Sequence, residues 1–288
     1  MRDILFVLMQ YLLPHHALSR LMGYVARSNL PWVKNPLIHW FVRRYGVDMS
    51  EAVQSDPSRY ANFNSFFTRA LKPGARPLAD GGGVVTCPVD GTVSAAGMLQ
   101  RDAVLQAKGH SYSLAALLGG EQHTANFVDG SFATLYLSPR DYHRIHMPLE
   151  GTLREMVHVP GRLFSVNPAT VARVPGLFAR NERVVTLFDT AHGPLAVILV
   201  GAMFVASIET VWQGVITPPT AGEVRSWQYP DSSAGALTLA RGAELGRFSM
   251  GSTVILLFPA GSADLDAALT SGAQVRMGQA LGRTVNAA

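Results

Sequence analysis

The sequence predicts an α+β protein: N-terminal helices followed by a β-rich, sandwich- or barrel-like domain with lipoyl-like features. Three observations predict it. The first 70 or so residues carry apolar and aromatic side chains at helical spacing. From Val84 onward the pattern changes to short apolar runs broken by Gly, Pro and Asp. The 27 Gly and 17 Pro of the 288 residues are spread along the chain, which suits many short strands and turns. The boundary falls in Leu71-Lys72-Pro73-Gly74-Ala75-Arg76-Pro77, so the expected division is 1–70 and 71–288.

Ile4 to Leu13 is apolar but ends at Pro14, short of the roughly 20 residues a spanning helix needs. No small-residue cleavage site follows to suggest a signal peptide. Leu18, Leu21, Met22 and Val25 then mark one helical face, with Arg20 and Arg27 off it. Trp32 to Tyr45 mixes aromatics with Lys34, Arg43 and Arg44 on a further helix. Two readings stand: a helical unit packed on the core, or helices in a membrane interface with Trp and Phe in the acyl boundary. An apolar content of 48% against 15% charged residues tilts the choice toward the surface of a membrane. Phe63, Phe66 and Phe67 read as a short helix turned inward.

Strands are expected at Gly91-Thr92-Val93, Phe132 to Leu137, Val184 to Phe188, Leu195 to Val200 and Val254 to Phe258. Helical turns are expected near Ser113 to Leu118 and Asp264 to Leu269. Arg241-Gly242-Ala243-Glu244-Leu245-Gly246-Arg247 echoes Met277-Gly278-Gln279-Ala280-Leu281-Gly282-Arg283. With Pro88-Val89-Asp90-Gly91-Thr92-Val93 this resembles the small sandwich of lipoyl and biotinyl carriers. Lys108, the only lysine of this region, lies outside both repeats, which argues against a carrier.

One cysteine, Cys87, excludes an internal disulfide framework and is compatible with a reducing compartment. A net charge of +4 without a dense basic run points away from nucleic acid. Three polar stations can carry chemistry. Asp90 sits in an Asp-Gly turn. His143 and His146 follow an apolar strand; no third ligand comes at a convincing spacing, so no metal is expected. Ser252 opens the run Val254 to Phe258. Each has an ordinary structural use: a turn residue, a hydrogen-bonded imidazole, a strand-end hydroxyl. Together Asp, His and Ser are the set needed to activate a hydroxyl. The Gly-x-Ser-x-Gly elbow of common serine hydrolases is absent.

In order along the chain, the resemblance becomes specific. Phe63-Asn64-Ser65-Phe66-Phe67-Thr68-Arg69, Pro88-Val89-Asp90-Gly91, His143 and His146 before Met147-Pro148, Gly161-Arg162-Leu163-Phe164-Ser165-Val166-Asn167, Asn181-Glu182-Arg183, Val200-Gly201-Ala202 and Gly251-Ser252-Thr253 resemble the bacterial phosphatidylserine decarboxylases. Met250 departs from the Leu more usual there, a change of little volume. The resemblance implies a proenzyme that cuts itself between Gly251 and Ser252. Ser252 Oγ attacks the Gly251 carbonyl, with His146 as base, oriented by Asp90. The resulting ester eliminates to dehydroalanine, which hydrolyses to a pyruvoyl group and ammonia. The products are chains 1–251 and 252–288, a heterodimer with a higher oligomer left open. The pyruvoyl cofactor forms a Schiff base with phosphatidylserine, accepts the electrons released with CO₂ and yields phosphatidylethanolamine. His143 is expected to position substrate or deliver a proton. The implied setting is the anionic surface of the cell membrane, bound peripherally on its cytoplasmic face, with Arg20, Arg27, Lys34, Arg43 and Arg44 near the headgroups. A Ser-His-Asp lipid hydrolase using Ser252 uncut and a non-catalytic lipoyl-like module remain the alternatives.

Overall fold

The computed structural model describes residues 2–203, 207–217, 222–230, 235–249 and 252–285. Four helices come first: α1 (Arg2–Leu12), α2 (His15–Ala26), α3 (Pro31–Tyr45) and α4 (Phe63–Phe67). Pro14 separates the first two, and Gly46 ends α3 in the left-handed conformation at φ 66°. A capping box between Asn62 and Ser65 starts α4 and turns Phe63, Phe66 and Phe67 inward onto Ile38 and Phe41.

Ten strands carry the architecture: β1 (Val84–Thr86), β2 (Gly91–Met98), β3 (Ser131–Leu137), β4 (Arg144–His146), β5 (Gly151–Val159), β6 (Arg183–Thr190), β7 (Gly193–Val200), β8 (Glu244–Phe248), β9 (Ser252–Phe258) and β10 (Ala280–Thr284). Among the described residues the main sheet is antiparallel and ordered Arg225–Gln228, β5, β6, β7, β9, β3, β2, Gln274–Val275. It is open at both ends, so the sandwich expectation holds and the barrel does not. One face packs on short helices, through Leu114, Leu117, Leu177 and Phe178. The other packs on two small sheets, one containing β1 and β10, the other β4 and β8.

β9 runs down the middle, paired along its length with β3 and with β7. All its residues are buried, which is why its sequence is continuously apolar after Thr253. Its alternate residues Val254, Leu256 and Phe258 belong to the cluster that contains Ile145 of β4 and Phe248 of β8. Ser252 shares their face by the two-residue period of a strand. Its hydroxyl therefore faces the layer of the two small sheets, from which Ile145 and Phe248 pack on this side.

The lipoyl-like repeat is real in three dimensions. Gly242 and Gly278 both have positive φ, 81° and 87°, and each precedes a strand bearing a fully buried leucine, Leu245 or Leu281. A Cβ at Gly278 would stand 2.5 Å from the Pro77 carbonyl oxygen. A matching repeat also exists between Cys87-Pro88-Val89-Asp90-Gly91-Thr92-Val93 and Met147-Pro148-Leu149-Glu150-Gly151-Thr152-Leu153. Cys87 N donates to Gln279 O, and Met147 N donates to Ala243 O. The two halves cross-link where His146 N donates to Pro88 O at 2.9 Å and Thr86 N to Pro148 O at 3.0 Å. Asp90 and His146 thus stand at the junction of two related halves.

Three sequence expectations need correction. Asp264 to Leu269 is not helical: Ala263–Leu265 is a strand, and the Asp266 carboxylate then takes Ala268 N at 2.9 Å, a local bond that competes with a helix. The other expected helix does form, at Leu114–Leu118, capped by Ser113. On α2 the buried face is His15, Ser19, Gly23 and Ala26. Small and polar groups let the helix approach closely, and Leu21 and Tyr24 turn outward at 60% and 77% exposure. Lys34 is not a surface cation: it is buried, and its ammonium donates to Asn35 Oδ1 and Ser58 O, both at 2.8 Å.

α1 docks by Val7 and Gln10, the amide of Gln10 reaching Ser165 N and Thr170 Oγ1. Ile4, Leu5, Leu8, Met9 and Leu12 are left exposed, as are Trp32 and Trp40 of α3. Among the described residues no helix is long and apolar enough to cross a membrane.

Candidate active site

Ser252 is fully buried at the first position of β9, opposite Leu137. Its Oγ has no hydrogen-bond partner among the described residues. Gly251, the other half of the expected scissile bond, lies outside the described residues. After Leu137 the chain makes a tight turn: the Asp141 carboxylate accepts from Ser138 N and Oγ, both at 2.7 Å. Burial raises the Asp141 pKa, against the pull of those two bonds. The turn leads into Tyr142 and His143, so the histidine enters only six residues after the partner of Ser252.

His143 is fully buried. Its Nδ1–H donates to Asp141 O at 2.8 Å, which assigns the tautomer, because a carbonyl can only accept. Nε2 therefore carries the lone pair, and it is unpartnered among the described residues. The Phe67 ring lies 4.0 Å from the imidazole, centroid to centroid. Phe248 N donates to the His143 carbonyl, tying this residue to the strand that leads toward Ser252. Burial pushes the His143 pKa down to about 3; the bond to the Asp141 carbonyl opposes this, and the Arg69 charge adds to it. The imidazole is neutral at physiological pH.

His146 has both ring nitrogens engaged. Nδ1–H donates to Gly242 O at 2.8 Å, and Nε2 accepts from Tyr142 Oη at 3.1 Å. Burial lowers its pKa, opposed by the Gly242 bond. Burial pushes the Tyr142 phenol up to about 12, so it stays protonated and donates. The expected Asp90–His146 hydrogen bond does not form. Asp90 Oδ1 accepts from Arg76 Nε at 2.8 Å and from Met277 N at 2.9 Å; Oδ2 accepts from Arg76 Nη2 at 2.6 Å. A forked guanidinium satisfies a buried carboxylate better than one imidazole N–H, and the repeat's carbonyl at Gly242 takes the imidazole instead. The carboxylate acts on His146 only through space.

Two openings border this region; among their lining residues are neighbours of the imidazoles, Tyr142 and Phe67, but not Ser252, His143 or His146. A cleft of about 380 Å³ is lined by Asp90, Tyr142, Asp141, Arg69 and Arg76, with Arg276 at its edge. A second, of about 260 Å³, is more apolar and runs between Phe41 and Tyr45 of α3 and Tyr136, Phe67 and Ala202. Tyr136 is the register partner of Thr253 and packs on the helix-side core, so this opening lies at the start of β9 on the sheet face opposite the Ser252 side chain. Tyr142, Arg76 and Gly242 were missed in the sequence. The repeat marked Gly242 as a turn, but nothing local marks its carbonyl as an imidazole acceptor.

The family described as phosphatidylserine decarboxylase matches residues 63–283, and one described as PSD matches residues 5–46. A phosphatidylserine decarboxylase proenzyme of Ectopseudomonas mendocina is 59% identical over 283 residues, covering 98% of this chain and 99% of the relative. Proenzymes of the same name from Pseudomonas aeruginosa and Pseudomonas putida (strain GB-1) are 58% and 57% identical, covering 97% and 100% of both chains. Similarity of this degree, unbroken from the apolar helices through the strand that Ser252 opens, places the chain in the phosphatidylserine decarboxylase family.

Proposed function

We propose that Ser252 is the self-cleaving nucleophile and the source of the catalytic group of this decarboxylase. The enzyme converts phosphatidylserine to phosphatidylethanolamine and CO₂ using a pyruvoyl group made from its own chain. The observation that carries the residue assignment is the Ser252 hydroxyl: buried, without a partner among the described residues, and on the sheet face of its register partner Leu137 and of Val254. An unpaired buried hydroxyl costs stability, so one kept at the start of a core strand calls for another use. The site fits a pyruvoyl group, because Thr253 to Phe258 stay hydrogen-bonded to β3 and β7 whether or not the preceding peptide bond is intact. Chains 1–251 and 252–288 would therefore remain one fold.

Ser252 Oγ adds to the Gly251 carbonyl carbon; the C–N bond then breaks as the Ser252 nitrogen takes up the proton lost by Oγ, leaving an ester and a free amine. His146 receives the Oγ proton at Nε2, the nitrogen its tautomer leaves basic, once Tyr142 Oη swings aside or relays it. Asp90 with Arg76 supplies a fixed ion pair beside this imidazole. When present, the pyruvoyl carbonyl supplies an electrophile for the substrate amine and a sink for the electrons that CO₂ leaves behind. His143 Nε2, neutral and dry, takes a proton from the substrate ammonium and returns it to the α-carbon after CO₂ departs. Phe67 and the burial around it exclude the water that would compete.

The exposed apolar face of α1, with Leu21, Tyr24, Trp32 and Trp40, lies in the interface of an anionic bilayer on the cytoplasmic side. Exposed Arg20, Arg27, Arg43 and Arg44 meet the headgroups.

Mass analysis of the purified protein tests the assignment. The expected result is two chains, 1–251 and 252–288, the smaller without a free amine, and one intact chain for Ser252→Ala. An intact, active wild type would favour a hydrolase instead.

A further inference from the structure

We propose that Arg69 anchors the substrate's phosphodiester. The inference rests on the decarboxylase reading and names the headgroup ligand of the same site. Arg69 is 4% exposed, yet no carboxylate pairs with it among the described residues. One nitrogen, Nη2, donates to the carbonyls of Arg140 at 3.1 Å and Asp141 at 3.4 Å. Nε and Nη1 donate to nothing among the described residues. A guanidinium out of water without a counter-ion is costly, so two buried, unpaired donors on a residue that lines the cleft point to an anion as the missing partner.

The neighbouring charges agree. Arg76, in the same cleft, is already matched by Asp90 and Glu51. Asp141 is held by Ser138 and points its carboxylate back into its own turn. Asp48 is engaged with Ser50 N. Arg140 and Arg276, largely exposed, add positive potential at the rim. Arg69, with two carbonyls and the Phe66 ring at 5.8 Å for company, is left as the buried cation of the cleft without a carboxylate partner among the described residues.

The position relates this cation to the reacting centre. The Asp141 carbonyl that accepts from Arg69 also accepts from His143 Nδ1. Phe67, two residues before Arg69, packs on the His143 ring. An anion on Arg69 therefore lies one backbone carbonyl away from His143.

The substrate carries two anionic groups, a carboxylate and a phosphodiester. Gripping the carboxylate would stabilise the ground state that must lose CO₂ and would raise the barrier. The phosphodiester is present in substrate and product alike, and holding it fixes the serine moiety without opposing the reaction.

The test uses processed enzyme and dioctanoyl phosphatidylserine in detergent micelles, which removes bilayer binding from the comparison. For Arg69→Gln, the KM for substrate and the Ki for dioctanoyl phosphatidylethanolamine should rise together, each by about 10- to 100-fold, the worth of a lost charge-assisted contact. Arg69→Lys, a point charge in place of a fork, should fall between. A rise in KM with an unchanged Ki would show that Arg69 reads the carboxylate and would overturn the proposal. No change in either would overturn it too. Should Arg69→Gln remain uncut, wild type decides: glycerophosphoethanolamine must inhibit at least about ten times better than ethanolamine, and equal inhibition overturns the anchor. A wild type that never cuts or never decarboxylates would instead sink the reading on which this rests.

Discussion

Asp90 is bound by Arg76 through both carboxylate oxygens, at 2.8 and 2.6 Å, and both side chains are nearly buried. The pairing gives this carboxylate a partner other than the His146 imidazole, which bonds Gly242 O and Tyr142 Oη instead. It also makes Asp90 depend on a residue of the linker between the helices and the sheet.

Removing the guanidinium leaves Asp90 buried beside a single backbone donor, Met277 N. Arg76→Met should destabilise the protein by about 3 kcal/mol, the usual cost of stranding one partner of a buried pair. Urea unfolding in a Ser252→Ala background, which keeps the chain whole, measures it. A loss below about 1 kcal/mol would mean that the pair is effectively solvated.

Tyr142 is placed to hold His146 Nε2. Tyr142→Phe removes one neutral hydrogen bond, worth about 1 kcal/mol, and should change the rate of chain cutting by about 5-fold without abolishing it. His146→Ala should abolish cutting. The time course of the 252–288 fragment on a gel distinguishes these. A Tyr142→Phe protein that never cuts would make the phenol itself essential.

His143 sets a pH dependence. Its folded pKa is about 3, below the ordinary 6.5. Between those values the unfolded chain binds a proton that the folded one refuses. Stability is therefore full above about pH 6.5 and falls as pH drops through it, by at most about 1.4 kcal/mol per unit from this group. His15 and His146, also lowered by burial, steepen the fall. Unfolding of the Ser252→Ala chain at about pH 7 and 5 should show it, and His143→Gln should flatten it. Equal slopes for the two proteins would contradict the assignment.

The exposed leucines of α1 predict a separable membrane defect. Leu8→Glu with Leu12→Glu should lose about 1.5–3 kcal/mol of partitioning per side chain into anionic vesicles, with little change in Tm. Lys34→Gln should do the reverse: it breaks two bonds inside the helical unit and leaves vesicle binding intact. Sedimentation with vesicles and thermal melts separate the two.

The turn at Gly278 is constrained by φ and by space together. Gly278→Ala should cost more than about 1 kcal/mol, since it strains a left-handed residue and drives a Cβ into the Pro77 carbonyl. Met277 N, which donates to Asp90, would shift with it. A melt unchanged by the substitution would mean that the turn is soft.

Much of the fold was legible in local pattern. Val254 to Phe258 declared a buried strand by being apolar at every position, and Phe63, Phe66 and Phe67 declared their inward turn. The misreadings came where one element's neighbour decides. On α2 the larger side chains looked like the core face, but a close helix contact wants Ser19, Gly23 and Ala26. At Lys34 the cation-rich segment looked solvated, yet Ser58, 24 residues away, supplies the acceptor that buries it.

By itself the sequence determined the class of the fold and the central strand, and it named the groups proposed to react: Ser252, two imidazoles and a carboxylate. Residue type and two-residue or helical periodicity are local properties, so they can be read from the chain. Only the tertiary structure decided which of these groups touch. Hydrogen-bond partners such as Arg76 for Asp90 and Gly242 for His146 lie 14 and 96 residues apart, and they meet because packed sheets choose the nearest donor and acceptor in space.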